Sequence, residues 1–397
     1  MARIVSLVIL LAAAFSAMAQ APVIQVVKQG AQKDTVSLDQ IRTAGPKGRI
    51  FVNNLTRDLE LSGWYRPGPG GGVKIAGGIS EGGDTIRTAL TVTAPGKRFE
   101  WSRSATGDKA IRACAHALSD AIVEHIAGEK GFAQTKITFV NRLGRNKADL
   151  YICDANGMGA SRITHDNVAC VGPRWAPNGE DIYYTSFKRG YPEIFRFTPG
   201  NRTRQPLASF RGLNTGAAVS PDGKRVALIL SYQGNPELYV LNKGNGFLLR
   251  MTKTPRASEA SPCWSPDGGT IVYVSDVTGK PQLYAVDVRS RRSRRITFQG
   301  SENVSPDFSC DGQLAWISKR SGGNRVYRMQ FQSGEGSAQA VDAPWGAEDP
   351  SWAVDNRHLV CHAGGALYIL DTMGDEPVRL FSHPGNWMSP DWSKPKK

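Results

Sequence analysis

The sequence predicts a mainly β protein, a six-bladed β-propeller preceded by a small α/β domain. Two observations lead to this. A segment recurs six times, with its anchor position at Trp175, Val219, Trp264, Phe308, Trp352 and Trp392, in steps of 44, 45, 44, 44 and 40 residues. That period is the length of one four-stranded propeller blade. The chain also holds 43 glycines and 23 prolines among 397 residues, as many short strands joined by tight turns require.

One repeat shows the parts. Pro262-Cys263-Trp264 ends an inner strand, and Ser265-Pro266-Asp267-Gly268 makes a turn. Proline presets φ there, Asp caps backbone groups and Gly admits a positive φ. Ile271-Val272-Tyr273-Val274-Ser275 and Gln282-Leu283-Tyr284-Ala285-Val286-Asp287 follow as strands, and Arg295-Ile296-Thr297 closes the unit. The middle strands are apolar on both faces, as expected for a blade held between two others. Residues 137–140, 150–154 and 162–164 match the second, third and fourth strands of a unit that lacks its own anchor strand. Pro390-Asp391-Trp392-Ser393 is an anchor strand alone. Joined, they make one blade from both ends of the repeat array, which leaves no open sheet edge. The pattern is eroded in places: Val219 is not aromatic, and the last turns read Ser309-Cys310-Asp311-Gly312 and Ala353-Val354-Asp355-Asn356.

The remaining chain divides into residues 1–19, 20–128 and 129–135, with the propeller over 136–397. Arg3, the largely apolar run 4–15 and Ala17-Met18-Ala19 read as a signal peptide, so the mature chain is expected to begin at Gln20 and to be soluble, without a membrane span. Residues 20–128 do not repeat and read as the α/β domain. Residues 22–28 are strand-prone, 50–61 suit a helix, 66–72 a loop, and 73–76, 85–93 and 97–102 strands. Residues 109–127 carry one apolar helical stripe, Ile111, Cys114, Ala115, Leu118, Ile122 and Ile126, with Gly128 as C-cap. Residues 129–135 read as a linker.

Losing Arg3 with the signal peptide lowers the formal net charge from +14 to +13. In an exported protein this points to acidic envelope partners such as anionic lipid, acidic glycan or an acidic protein face, or to solubility alone, and not to nucleic acid. The six cysteines form no C-x-x-C pair and read as buried thiols. Gly78-Ile79-Ser80-Glu81-Gly82 fits G-x-S-x-G but lacks the strand–turn–helix setting of a nucleophile elbow. The sequence leaves four residues after Ser393, so no hydrolase domain is expected there. His358 and His362 fall on a predicted strand, about 13 Å apart, too far to share an ion. No cofactor, metal or catalytic residue is therefore expected. Arg289, Arg291, Arg292, Arg294 and Arg295 form a basic run that reads either as a solvated outer-edge turn or as a site for acidic glycan or phosphate.

The order of these parts, with the junction Gly131-Phe132-Ala133-Gln134-Thr135-Lys136-Ile137, resembles the TolB family over nearly the whole mature chain. The resemblance implies a monomeric, non-enzymatic periplasmic scaffold of a Tol–Pal system, which supports outer-membrane integrity, cell division and import. It implies a Pal-like lipoprotein bound through the propeller and a TolA-like envelope protein engaged by the N-terminal segment, with Val23, Gln25, Val26, Val27 and Lys28 as contact residues. From the residues alone, that stretch is equally an edge strand of its own domain. The loops entering the inner strands converge on the channel mouth, which nominates His165, Asp166, Asn167, Asn214, Thr215, Ser258, Glu259, Glu302, Asn303, Glu348, Asp349 and Asn386 as partner-binding residues. A secreted propeller that binds or cleaves a glycan or peptide at its channel is the alternative reading.

Overall fold

The computed structural model describes residues 32–394. The expected strand at 22–28, and the contact residues Val23, Gln25, Val26, Val27 and Lys28, lie outside the described residues.

The N-terminal region is a five-stranded sheet with two helices against it. Its elements are β1 (Asp34–Thr43), α1 (Pro46–Leu61), β2 (Tyr65–Pro67), β3 (Val73–Gly82), β4 (Thr85–Ala94), β5 (Lys97–Thr106) and α2 (Asp108–Ile122). The sheet order is β2-β1-β3-β4-β5, with β1 parallel to both neighbours and β3, β4 and β5 antiparallel. Helix α1 starts four residues before the expected 50, because Pro46 at its first turn has its φ already set and needs no amide partner. The Glu81 carboxylate accepts the Gly48 N–H at 2.6 Å and so caps the same end. Phe51, Leu55 and Leu59 line one face of α1, and Ile111, Ala115, Leu118 and Ile122 one face of α2, all fully buried in one cluster with Ile75, Ile86 and Val92. A π-turn over Val123–Ala127 ends at Gly128, whose φ of +76° lets its N–H close on Glu124 and Val123 carbonyls. The loop expected from residue 66 begins at Gly68, since Tyr65–Pro67 pairs with β1.

Residues from Lys136 onward form six four-stranded antiparallel blades. The inner strands are Cys170–Trp175, Asn214–Val219, Glu259–Trp264, Glu302–Phe308, Glu348–Trp352 and Trp387–Trp392, belonging to blades one to six in that order. Each touches the inner strands of both neighbours, so the ring is complete. Blade six joins the two ends of the array. Trp387–Trp392 pairs antiparallel with Lys136–Gly144, Trp392 opposite Ile137 and Trp387 opposite Asn141, and Lys147–Asp154 and Ser161–Arg162 follow outward.

Every anchor residue ends its inner strand. The Trp264 indole donates to the Ala218 carbonyl of blade two at 2.9 Å, and Arg225 of the same blade lies over its ring. Turn chemistry survives the eroded motifs. In Ser220-Pro221-Asp222-Gly223 the Ser220 hydroxyl bonds Asp222 and accepts the Arg225 N–H at 2.9 Å. With Cys310 in place of proline, Ser309 still bonds Asp311 and accepts the Gln313 N–H at 2.8 Å. At the last turn Asn356 takes the positive φ, at +61°.

A bulge repeats in all six inner strands. Three residues before each anchor, Gly172, Gly216, Ser261, Ser305, Asp349 and Ser389 have φ between +46° and +65°, and each coincides with a register shift against the second strand. Proline or alanine follows in every case. The bulge bends the strand where six of them crowd around one axis.

Candidate functional site

Inner strands run from the mouth of the channel to its anchor end, so the loops entering them and the turns between second and third strands share the mouth face. All the nominated propeller residues lie there, but their side chains differ in exposure. His165, Asn167, Ser258, Glu348 and Asn386 are exposed, and Asp166, Thr215, Glu302 and Asp349 half-buried. Asn214, Glu259 and Asn303 are buried and engaged by the scaffold, so they present no side chain to a partner on this face. Asn214 donates to the Phe210 and Pro192 carbonyls at 2.7 and 3.1 Å. Asn303 donates to Gln282 at 2.8 Å and accepts the Trp316 indole N–H at 2.8 Å. Glu259 accepts the Thr254 and Ser275 hydroxyls at 2.9 and 3.0 Å; burial, with Glu237 nearby, pushes its carboxyl up to about 7 against those hydrogen bonds.

Acidic and hydroxyl groups cluster at the inner edge of the mouth. Asp349 accepts Ser305 Oγ at 2.8 Å and Ser389 Oγ at 3.0 Å, and so ties blades four, five and six together. Glu348 lies 3.5 Å from His362, and Glu302 pairs with Lys319 at 3.0 Å. Farther out, the turns carry exposed Arg142, Arg145, Lys147, Lys188, Arg189 and Lys280. The mouth is thus an acidic throat with a basic rim, and the nominated polar and acidic residues did not include these rim cations.

The sequence reading missed the apolar character of this rim. Of twelve exposed large apolar side chains among the described residues, eight stand on the mouth face: Leu143, Val171, Phe187, Tyr191, Tyr232, Val277, Phe298 and Trp345. Trp345 is 76 % and Phe298 66 % exposed. Singly exposed apolar groups are ordinary; here most of them gather on one face. Four come from second-to-third-strand turns in blades one to three, a position the sequence pattern treats as mere connection.

At the opposite, anchor end the channel opens into a cavity of about 440 Å³ lined by Trp175, Trp264, Phe308 and Trp392 with Arg174, Asp307, Asp391 and Lys394. Two cations face two carboxylates there, so the group is internally balanced. Its sequence signal is the residue before each anchor: Arg174, Asp307, Ser351 and Asp391 are polar where Ala218 and Cys263 are not. These side chains link the blades. Asp307 accepts the Trp352 N–H at 2.8 Å, Ser351 the Trp392 N–H at 3.1 Å, and Asp391 the Trp175 N–H at 2.6 Å.

The α/β domain sits against blades five and six at the anchor end. His116 of α2 lies 2.6 Å from Asp58 of α1 and 3.5 Å from Asp154 of blade six, which also pairs with Arg112 and Lys136 at 2.8 and 2.7 Å. Burial opposes the imidazolium, but the two carboxylates outweigh it and raise His116 to about 9. Arg357 of blade five donates to the Gly63 carbonyl at 3.0 Å, pairs with Asp371 at 2.6 Å and lies over the Trp64 ring. Beside it His358 sits between Asp355 and Asp371, at 2.6 and 3.4 Å, and is likewise raised to about 9 despite its burial.

Ser80 is exposed on strand β3 opposite Arg87, in a hairpin with no helix after it, so the G-x-S-x-G match builds no nucleophile elbow. All six cysteines are free, four of them buried. No helix among the described residues is long and apolar enough to cross a membrane.

Fold and surface together define a class: a closed six-bladed β-propeller, with an appended α/β domain fixed to its anchor end. Comparison with known proteins narrows this. The model of the TolB beta propeller domain family matches residues 123–396, and the chain belongs to that family. It is 38 % identical over 127 residues to the Tol-Pal system protein TolB of Alcanivorax borkumensis, a match covering 31 % of this chain and 29 % of that one. It is 31 % identical over 153 residues to the Tol-Pal system protein TolB of Anaeromyxobacter dehalogenans, covering 38 % and 35 %. The matched stretches thus span about a third of those relatives' own lengths. The crystal structure of TolB from Acinetobacter baumannii shares the fold over 92 % of this chain and 98 % of that chain, with a TM-score of 0.80 at 24 % identity.

Proposed function

We infer that this protein is a periplasmic, non-catalytic adaptor of a Tol–Pal system, whose propeller mouth docks a Pal-like lipoprotein. The supporting observation is the set of exposed apolar side chains around an acidic throat on the face opposite the α/β domain, led by Trp345 and Phe298. Aromatic anchors that lose their water on docking supply most of the affinity of such interfaces, and charge around them sets partner choice. His165, Asn167, Ser258, Glu302, Glu348, Asp349 and Asn386 are the polar groups of this interface. Residues 20–29 serve the second partner, a TolA-like protein, by adding a strand to its sheet.

The test is calorimetric titration of residues 20–397 with the soluble domain of the Pal-like lipoprotein from the same genome. Trp345→Ser and Phe298→Ser together are expected to weaken binding by about 2 kcal/mol or more while leaving the fold intact, since neither side chain is buried. Undiminished affinity would move the docking site off this face. Deleting residues 20–29 is expected to leave lipoprotein binding unchanged and to abolish capture of the TolA-like protein.

A further inference from the structure

Away from the mouth, a groove of about 590 Å³ runs between blades two and three. Val240, Leu249 and Met251 of blade two and Val288 of blade three give it apolar walls, and Phe247, 61 % exposed, stands at its edge. Arg225 and Arg289 line the same groove. Phe247 lies on the turn between Glu237–Asn242 and Leu248–Arg250, and Arg289, Arg291 and Arg292 on the turn between Gln282–Asp287 and Ser293–Arg295. Both are turns between third and fourth strands, so both project from the outer, anchor-end edge of adjacent blades. Blades two and three lie across the ring from the blades that carry the α/β domain, which leaves this edge uncovered by it.

The basic run of the sequence therefore has an apolar neighbour that the sequence did not reveal. Arg289, Arg291 and Arg292 are exposed and form no ion pair among the described residues. The carboxylate in the groove, Asp287, accepts the Ser290 N–H at 2.6 Å and is held below its ordinary value by that bond and by the charge of Arg289, which leaves the turn a net cationic tip. A solvated turn that only deters strand pairing needs its charges; it does not need an exposed phenylalanine beside an apolar groove.

We propose that this edge docks on an anionic phospholipid surface, with Arg289, Arg291 and Arg292 at the phosphates and Phe247 inserted among the acyl chains. Charge complementarity carries the choice of partner: cations on a turn tip meet a plane of phosphates, and an apolar wedge beside them suits the headgroup–acyl boundary. The +13 charge of the mature chain adds long-range attraction to the same surface. The site is separate from the mouth, so its test does not depend on the lipoprotein.

The experiment is co-sedimentation of residues 20–397 with phosphatidylethanolamine vesicles containing phosphatidylglycerol, against phosphatidylcholine vesicles. Wild type is expected to bind the anionic vesicles only. R289Q/R291Q/R292Q is expected to lower the partition coefficient roughly 100-fold, at about fivefold for each arginine. R142Q/R145Q/K147Q, which removes the same charge from the mouth, is expected to lower it less than fivefold. Phe247→Ser is expected to weaken binding about tenfold even at a salt concentration that screens the arginines. Melting temperatures within a few degrees of wild type identify variants that remain folded. Equal losses in the two triple variants would reduce the effect to net charge and overturn the site. So would an absence of vesicle binding, including the case in which an acidic polyglutamate peptide binds in its stead.

Discussion

Arg174 on the inner strand of blade one holds its guanidinium 3.0 Å from the carboxylate of Asp391 on the strand that closes the ring. The other carboxylate oxygen of Asp391 accepts the N–H of Trp175 at 2.6 Å. The seam between the last strand and the first complete blade is therefore fastened by a buried charge and a backbone bond at one point, with Asp307 3.3 Å from the same guanidinium and Lys394 next to it.

Removing Asp391 leaves the half-buried Arg174 with Asp307 alone and takes the acceptor from the Trp175 N–H. Asp391→Ala is expected to cost about 1–3 kcal/mol in urea unfolding. Asp391→Asn, which keeps an acceptor for Trp175, is expected to cost less. Equal, small losses for both would mean that the seam is held by packing alone.

The two buried imidazoles predict a decline in stability on the alkaline side. His358 and His116 are raised to about 9 by the carboxylates around them, against an ordinary value near 6.5. A raised pKa contributes stability that is complete below about 6.5 and lost as pH rises through 9. Thermal melts between pH 6.5 and 10 are expected to show a loss of a few kcal/mol, and His358→Asn to remove about half of it. His358 holds Asp355 and Asp371 below the ordinary carboxylate value despite their burial, so both stay charged over this range, and a wild-type profile that is flat to pH 10 would contradict the buried ion pairs.

Glu259 predicts a loss in the same direction at lower pH, the reverse of the usual carboxylate. Its folded value is raised to about 7, so it favours the folded state most below about 4.5 and progressively less as pH rises through 7. Glu259→Gln keeps an acceptor for Thr254 and Ser275 without the charge. At pH 8 it is expected to match or exceed wild-type stability by about 1 kcal/mol, whereas Glu259→Lys is expected to unfold blade three. A Gln variant that is less stable than wild type at pH 8 would show that the charge is needed.

Four of the six inner-strand bulges hold non-glycine residues at positive φ. Ser261 has φ +46° and no hydrogen bond from its hydroxyl among the described residues, so Ser261→Gly is expected to raise stability by about 1 kcal/mol. A lower melting temperature would mean that the bulge relies on the stiffness of serine.

The blades and their closure were legible because Trp175 to Trp392 mark the same point in each unit and tight turns have fixed chemistry. β1 was not: Asp34–Thr43 pairs in parallel on both sides and places Val36, Leu38 and Ile41 in neither a strand nor a helix period. The mouth was legible as a face, but not residue by residue. Asn214, Glu259 and Asn303 look like loop polar groups in sequence, and only folding brings Phe210, Thr254 and Gln282 to them. Trp345 and Phe298 stand far apart in the chain, and their shared face emerges from ring closure.

Hydrogen–deuterium exchange of residues 20–397, alone and saturated with the soluble Pal-like lipoprotein, tests the central claim most directly. The account predicts slower exchange in the mouth loops, at residues 142–147, 186–192, 297–302 and 342–348, with no change near Arg357 and Arg379 at the anchor end. Protection confined to the anchor end, or no protection anywhere in the propeller, would contradict it.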